Sequence, residues 1–98
     1  MDLQPLGDGL RNARTTAIVK SEAFEAVRLV VLAGREIAPH QVAGKITLHC
    51  LEGRVLLGLS DSTLELSAGQ WVNLDGGTRH SVTGIQDSSL LLTILFDP

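Results

Sequence analysis

From Thr15 onward the chain is a succession of short apolar runs, each broken by turn-forming residues. Within the runs apolar and polar positions alternate with a period of two, the period of a strand with one buried face. In Lys45–Leu51 the side chains of Ile46, Leu48 and Cys50 share one face and those of Thr47, His49 and Leu51 the other. The first set is uniformly apolar and is expected to face a core. Val55, Leu57 and Leu59 form the inward set of the next run, continued by Leu64 and Leu66. His80 shares a face with Val82 against Ser81 and Thr83, so it is expected to point inward as well. The pattern predicts strands over Thr16–Lys20, Phe24–Leu32, Glu36–Gln41, Lys45–Leu51, Arg54–Leu59, Thr63–Leu66, Gln70–Leu74, His80–Ile85 and Ser89–Phe96. No window carries a persuasive helical stripe.

Turn chemistry supports these breaks. Glu52-Gly53 suits a tight hairpin, since glycine supplies the positive φ that such turns demand, and it leaves Glu52 in an exposed hairpin position. Asp61-Ser62 and Asp75-Gly76-Gly77 mark further turns. The opening stretch, with Pro5, Gly7, Gly9 and Asn12, shows no sustained period and reads as an irregular arm. Short strands at this spacing argue for an all-β sandwich or barrel rather than βαβ units. The expected organisation is an N-terminal arm over residues 1–14 and a single β-barrel domain over residues 15–98. The last run, Leu90–Phe96, is apolar on both faces. It therefore needs cover on both sides, from a second sheet layer, from the arm or from another subunit. A homodimer is the economical expectation.

Composition narrows the picture further. The chain has 98 residues, enough for one core, with a hydrophobic share of 44% and few aromatics. Aliphatic side chains must fill the interior. Trp71, the one tryptophan, reads as a packing anchor. The net charge is −3 and the eight Lys and Arg residues are scattered singly, so the basic stripe that nucleic acid or an anionic membrane requires is missing. The single cysteine, Cys50, has no partner within the chain for a disulfide. No secretory-signal pattern opens the sequence, and no apolar run approaches the roughly 20 residues that span a bilayer. A cytoplasmic location is expected.

Two stretches resemble the motifs of the cupin family. Its first motif runs Gly, five residues, His-X-His, then a Glu and a glycine after the following strand; Gly34, His40 and the Leu51-Glu52-Gly53 turn fall at matching positions. Its second runs Gly, five residues, Pro-X-Gly, two residues, His; here Gly69, Gly77 and His80 match. The resemblance spans about Phe24 to Phe96. It implies a double-stranded β-helix, or jelly-roll barrel, with His40 and His80 standing where the family holds its metal. The chain also departs from the pattern. Val42 replaces the second histidine, Lys45 or Ile46 the glutamate, Asp75 the proline and Gly84 the final asparagine.

Two histidines make only part of a transition-metal site, because a catalytic ion normally takes at least three protein ligands. A third donor would come from Glu36, Gln41, His49, Cys50 or a substrate carboxylate. His49 and Cys50 are adjacent on a strand and point to opposite faces. His49 is expected on the outer face, and Cys50 as an inert buried thiol. Glu36 has the parity of His40 if the strand runs regularly, although Pro39 is a place for a bulge that would break it. Glu36 is therefore the candidate third ligand, for an ion such as iron, zinc, nickel or manganese. Arg79, beside His80, would meet an anionic ligand at the barrel mouth or stand solvated in a turn. The Asp75-Gly76-Gly77 loop leads into a strand rather than a helix, which excludes a phosphate cradle at a helix N-terminus.

Three functions follow from these residues. The first is a module binding a small molecule in the barrel, with His40, His80 and Arg79 as polar contacts and a partial metal site at His40 and His80. The second is a metal-dependent enzyme of the dioxygenase or isomerase kind. The third is a sensory or regulatory domain that acts through another protein. The missing donors favour the first.

Overall fold

The computed structural model describes residues 2–40 and 43–96, with the side chains of residues 38–40 outside the description. Gln41, both the expected end of a strand and a candidate donor, lies outside the described residues, as does Val42. Among the described residues nine strands follow a short 3-10 helix, Gly7–Asn12. They are β1 Thr16–Lys20, β2 Phe24–Val31, β3 Glu36–His40, β4 Ile46–Glu52, β5 Arg54–Gly58, β6 Thr63–Ser67, β7 Trp71–Leu74, β8 His80–Gly84 and β9 Ser88–Leu95. Each begins and ends within one residue of the span that alternation predicts.

The strands form two antiparallel sheets, one in the order β1-β2-β9-β4-β7 and the other in the order β3-β8-β5-β6. Their inner faces close on a single aliphatic core. Val31, Ile46, Leu48, Cys50, Leu74 and Leu90 come from the first sheet and Val55, Leu57, Leu66 and Val82 from the second. This is the double-layered, mostly β architecture expected from the period-two pattern, and the inward assignments of β4, β5 and β8 stand.

Two apolar side chains expected inside lie outside that core. Leu64 has inward parity, opposite Leu57, but it is 42% exposed because β6 is the edge strand of its sheet. Trp71, expected as a packing anchor, is 56% exposed. It starts the edge strand β7 on the face opposite Val72 and Leu74, and its cross-strand partner is His49. Hydrophobic bulk pointed it inward, and strand parity points it out.

The two-faced run in β9 is explained by its position. β9 lies between β2 and β4, with Leu90, Leu92 and Ile94 on the core side. On its outer side the N-terminal arm crosses one end. There Arg28 donates to the carbonyl oxygens of Leu3 and Gln4, and Glu52 accepts from the N–H groups of Leu6 and Gly7. Ser89 is fully buried beneath this crossing. Glu52, expected to be exposed in its hairpin, has a side chain only 12% exposed. The arm covers it, a contact from far along the chain. At the other end of the face Phe24 and Leu95 pair across the β2–β9 ladder and remain partly exposed.

Candidate functional site

His80 opens β8 directly after the Asp75–Gly77 turn, which Thr78 N–H closes by donating to Asp75 O at 3.2 Å. Gly77 takes φ +81° there, a conformation that a side chain would oppose. The imidazole of His80 is buried, 4% exposed, on the same face as Val82. Its Nδ1 lies 3.0 Å from Thr78 O. A carbonyl oxygen only accepts, so Nδ1 carries the proton, and in the neutral ring the lone pair is at Nε2.

His40 ends β3 and is the direct Cα partner of His80 across the β3–β8 ladder. Between Ile37, opposite Val82, and His40, opposite His80, β3 spends three steps and β8 two. The extra residue is a β-bulge at Ala38-Pro39, where proline was expected to disturb the strand. The bulge removes the parity shared by Glu36 and His40. Glu36 pairs with Thr83, on the face opposite His80, and accepts a hydrogen bond from Thr83 Oγ1 at 3.3 Å on the exposed side of the sheet. The structure therefore brings the backbones of His40 and His80 together and does not bring the Glu36 carboxylate to them.

A cavity of about 120 Å³ lies beside His80, lined by Gly58, Leu59, Ser60, Arg79 and Ser81 as well. Arg79 is exposed at its rim. A Cβ at Gly58 would stand 2.5 Å from Ser81 Oγ, so the hydroxyl of this cross-strand neighbour would have to turn away. Sequence reasoning missed Ser60 and Ser81. Their place depends on the pairing of β5 with β8, strands distant in the chain, and no local pattern encodes it.

The remaining candidate donors are elsewhere. His49 is half-buried on the outer face, between Leu91 and Trp71. Cys50 is fully buried in the core, its Sγ directed to the carbonyl oxygens of Glu52 and Gly53 at 3.5 and 3.7 Å. Burial pushes its thiol above the ordinary value; the Glu52 carboxylate adds to this and a hydrogen bond to the Glu52 backbone opposes it. A protonated, enclosed thiol is inert as a ligand or nucleophile. Among the described residues no three His, Cys, Asp or Glu side chains group around one point. The residues lining the cavity beside His80 include Ser60, Arg79 and Ser81, with Ser81 on the opposite strand face from His80. That set falls short of a catalytic metal centre. It suits a small polar or anionic group, which a guanidinium and hydroxyls can bind by donated hydrogen bonds.

No protein-family model matches the chain, and no curated protein matches it. Solved structures do. An RmlC-like cupin protein from Desulfovibrio desulfuricans superposes with a TM-score of 0.79 at 24% identity, over 97% of this chain and 96% of that one. A cupin superfamily protein from Desulfitobacterium hafniense gives 0.81 at 16% identity, over 85% and 76% of the two chains. An RmlC-like cupin from Methanocaldococcus jannaschii, described as a double-stranded β-helix, gives 0.78 at 16% identity, over 87% and 84%. This chain has the cupin fold. The likeness lies in the backbone. Among the described residues no helix is long and apolar enough to cross a membrane.

Proposed function

We propose that this cupin is a binding module for a small molecule carrying an anionic or strongly polar group, held at the end of the barrel by His80 and Arg79. The observation that carries the reading is the buried imidazole of His80. Its Nδ1 is tied to Thr78 O, and it adjoins a cavity lined also by Arg79, Ser60 and Ser81. The exposed Arg79 guanidinium supplies the charge complement for an anionic group. A volume of about 120 Å³ takes only a few non-hydrogen atoms, so the cavity would seat the polar end of a ligand rather than all of it.

The test is a thermal-shift screen of small carboxylates, phosphate, amino acids and sugars, run with and without a chelator. One compound class should raise the midpoint without any metal requirement, and Arg79→Ala should lose the shift. A screen in which anions give no shift, or in which the chelator abolishes every shift, rejects the reading.

The pairing of His40 with His80 across the ladder favours a second reading, a partial divalent-metal site completed by the ligand itself. Metal content per chain decides it. Near-stoichiometric iron, zinc, nickel or manganese that falls in both His40→Ala and His80→Ala would replace the metal-free reading and make a dioxygenase or isomerase screen worthwhile.

A further inference from the structure

The arm is fastened to the barrel at one nearly buried ion pair. The carboxylate of Glu52 accepts from the N–H of Leu6 at 3.0 and 2.9 Å, from the N–H of Gly7 at 3.2 Å and from the hydroxyl of Ser89. The Arg28 guanidinium stands 4.0 Å from it and itself donates to the carbonyl oxygens of Leu3 and Gln4. Each half of this ion pair therefore holds arm backbone, and both side chains are nearly buried, at 11% and 12% exposed. The other fastenings lie further along the arm. Leu10 is the arm's one buried residue among those described, and Arg11 meets Asp87 at 3.7 Å with most of its side chain in solvent. The arm's own backbone bonds, Gly9 N–H to Leu6 O and Ala13 N–H to Leu10 O, are internal and survive its displacement.

We propose that residues 2–14 form a strap that lifts from the barrel as one unit while the strands stay paired, with Glu52 as its latch. A carboxylate only accepts, and two of the donors aimed at it belong to the arm. Protonation, or replacement by an amide, sets a donor against donors and removes the charge that strengthens those bonds. Burial works against the charge on Glu52. The Leu6 N–H, the Ser89 hydroxyl, the Gly7 N–H and Arg28 together outweigh it and hold the carboxyl below its ordinary value. Docking of the arm and ionisation of Glu52 are thus linked. The charged groups around the latch are Arg28 from β2, Asp8 and Arg11 from the arm and Asp87 from the β8–β9 turn; the last three line, with Glu52, a cavity of about 590 Å³ under the arm. Cys50, two residues back on β4, faces inward and stays neutral. Lifting the strap uncovers Ser89 and the Arg28 guanidinium on the outer face of the five-stranded sheet.

Hydrogen–deuterium exchange on the full chain tests this, with rates corrected for intrinsic pH dependence. In Glu52→Gln, peptides covering residues 3–13 should exchange at least about tenfold faster, the effect of weakening charge-assisted bonds. Peptides covering 46–58 and 80–95 should keep their protection. In the wild type, lowering the pH should release the arm peptides before the barrel peptides. Arm protection unchanged in both experiments overturns the proposal. So does arm and barrel protection lost together, which would make the arm part of one cooperative unit. Should Glu52→Gln not fold, the acid series on the wild type decides by the same two readings.

Discussion

His40 stands directly opposite His80 across the β3–β8 ladder, and a bulge at Ala38-Pro39 puts it there. Neighbouring substitutions on the β8 side separate fold from binding. His80→Ala removes a buried ring and its bond to Thr78 O, and should cost about 2–3 kcal/mol in urea unfolding. Arg79→Ala, at an exposed turn position, should stay within about 0.5 kcal/mol of the wild type. Both should abolish the stabilisation by anions. Retained anion response in Arg79→Ala would remove the guanidinium from the site.

The link between Glu52 and Ser89 sets an acid limb. The folded pKa of Glu52 is depressed, so its contribution to stability is complete above the ordinary carboxylate value and is lost as pH falls through the folded one. Ser89→Ala removes a donor to the charged form while leaving Leu6, Gly7 and Arg28 in place. It should move the midpoint of arm release, followed by hydrogen exchange of the arm peptides, to higher pH. An unmoved midpoint would mean that other carboxylates govern the limb.

Cys50 should resist thiol reagents in the native protein. It is fully buried and its thiol is raised, so little thiolate exists at neutral pH and none is reachable. Labelling by a disulfide reagent at pH 8 should run at least about a hundredfold slower than in urea, in step with global opening. Fast native labelling would show that the Glu52-Gly53 hairpin opens locally.

Strand spans were legible because a period-two pattern is local, and His80 and Cys50 took their faces from it. Trp71 was legible in principle: it shares a face with Asn73 against Val72 and Leu74, and only its bulk argued for the core. Glu36 depended on a bulge whose place Pro39 marked without fixing its effect on register. The burial of Glu52 was not legible, since its partners Leu6 and Gly7 come from the opening of the chain and a turn motif says nothing about what crosses it. The cupin spacing located the histidines, but the hydroxyls of Ser60 and Ser81 entered only with the non-local pairing of β5 and β8.

The outer face of the β9–β4–β7 region predicts self-association. Away from the arm crossing, where Glu52 lies, its outward residues Thr47, His49, Trp71, Asn73, Leu91, Thr93 and Leu95 include no Asp, Glu, Lys or Arg. Depletion of charge around an aromatic residue marks the centre of homodimer interfaces more than ordinary surface. Light scattering after size exclusion should give a dimer mass, and Leu91→Glu with Trp71→Lys should give a monomer. A monomeric wild type at high micromolar concentration would reject the expectation.

Gly53 offers the sharpest single test of the hairpin beneath the arm. It takes φ +83°, and a Cβ there would stand 2.3 Å from Asp87 O, 2.3 Å from Ser88 Oγ and 2.8 Å from Ser88 Cα. Two of these three are backbone atoms of the adjoining β8–β9 turn and cannot swing away. Ser88 is fully buried, and its hydroxyl accepts from Arg54 N–H and lies within bonding distance of the carbonyl oxygens of Arg54 and Gln86. The two turns are thus locked against each other, with glycine as the contact. Gly53→Ala adds left-handed strain of about 1–2 kcal/mol and a comparable overpacking cost, so a loss of about 3 kcal/mol is expected in urea unfolding. Ser88→Ala, which removes only the side-chain part of the lock, should lose about half as much. If Gly53→Ala is as stable as the wild type, the turns do not meet as closely as this packing requires.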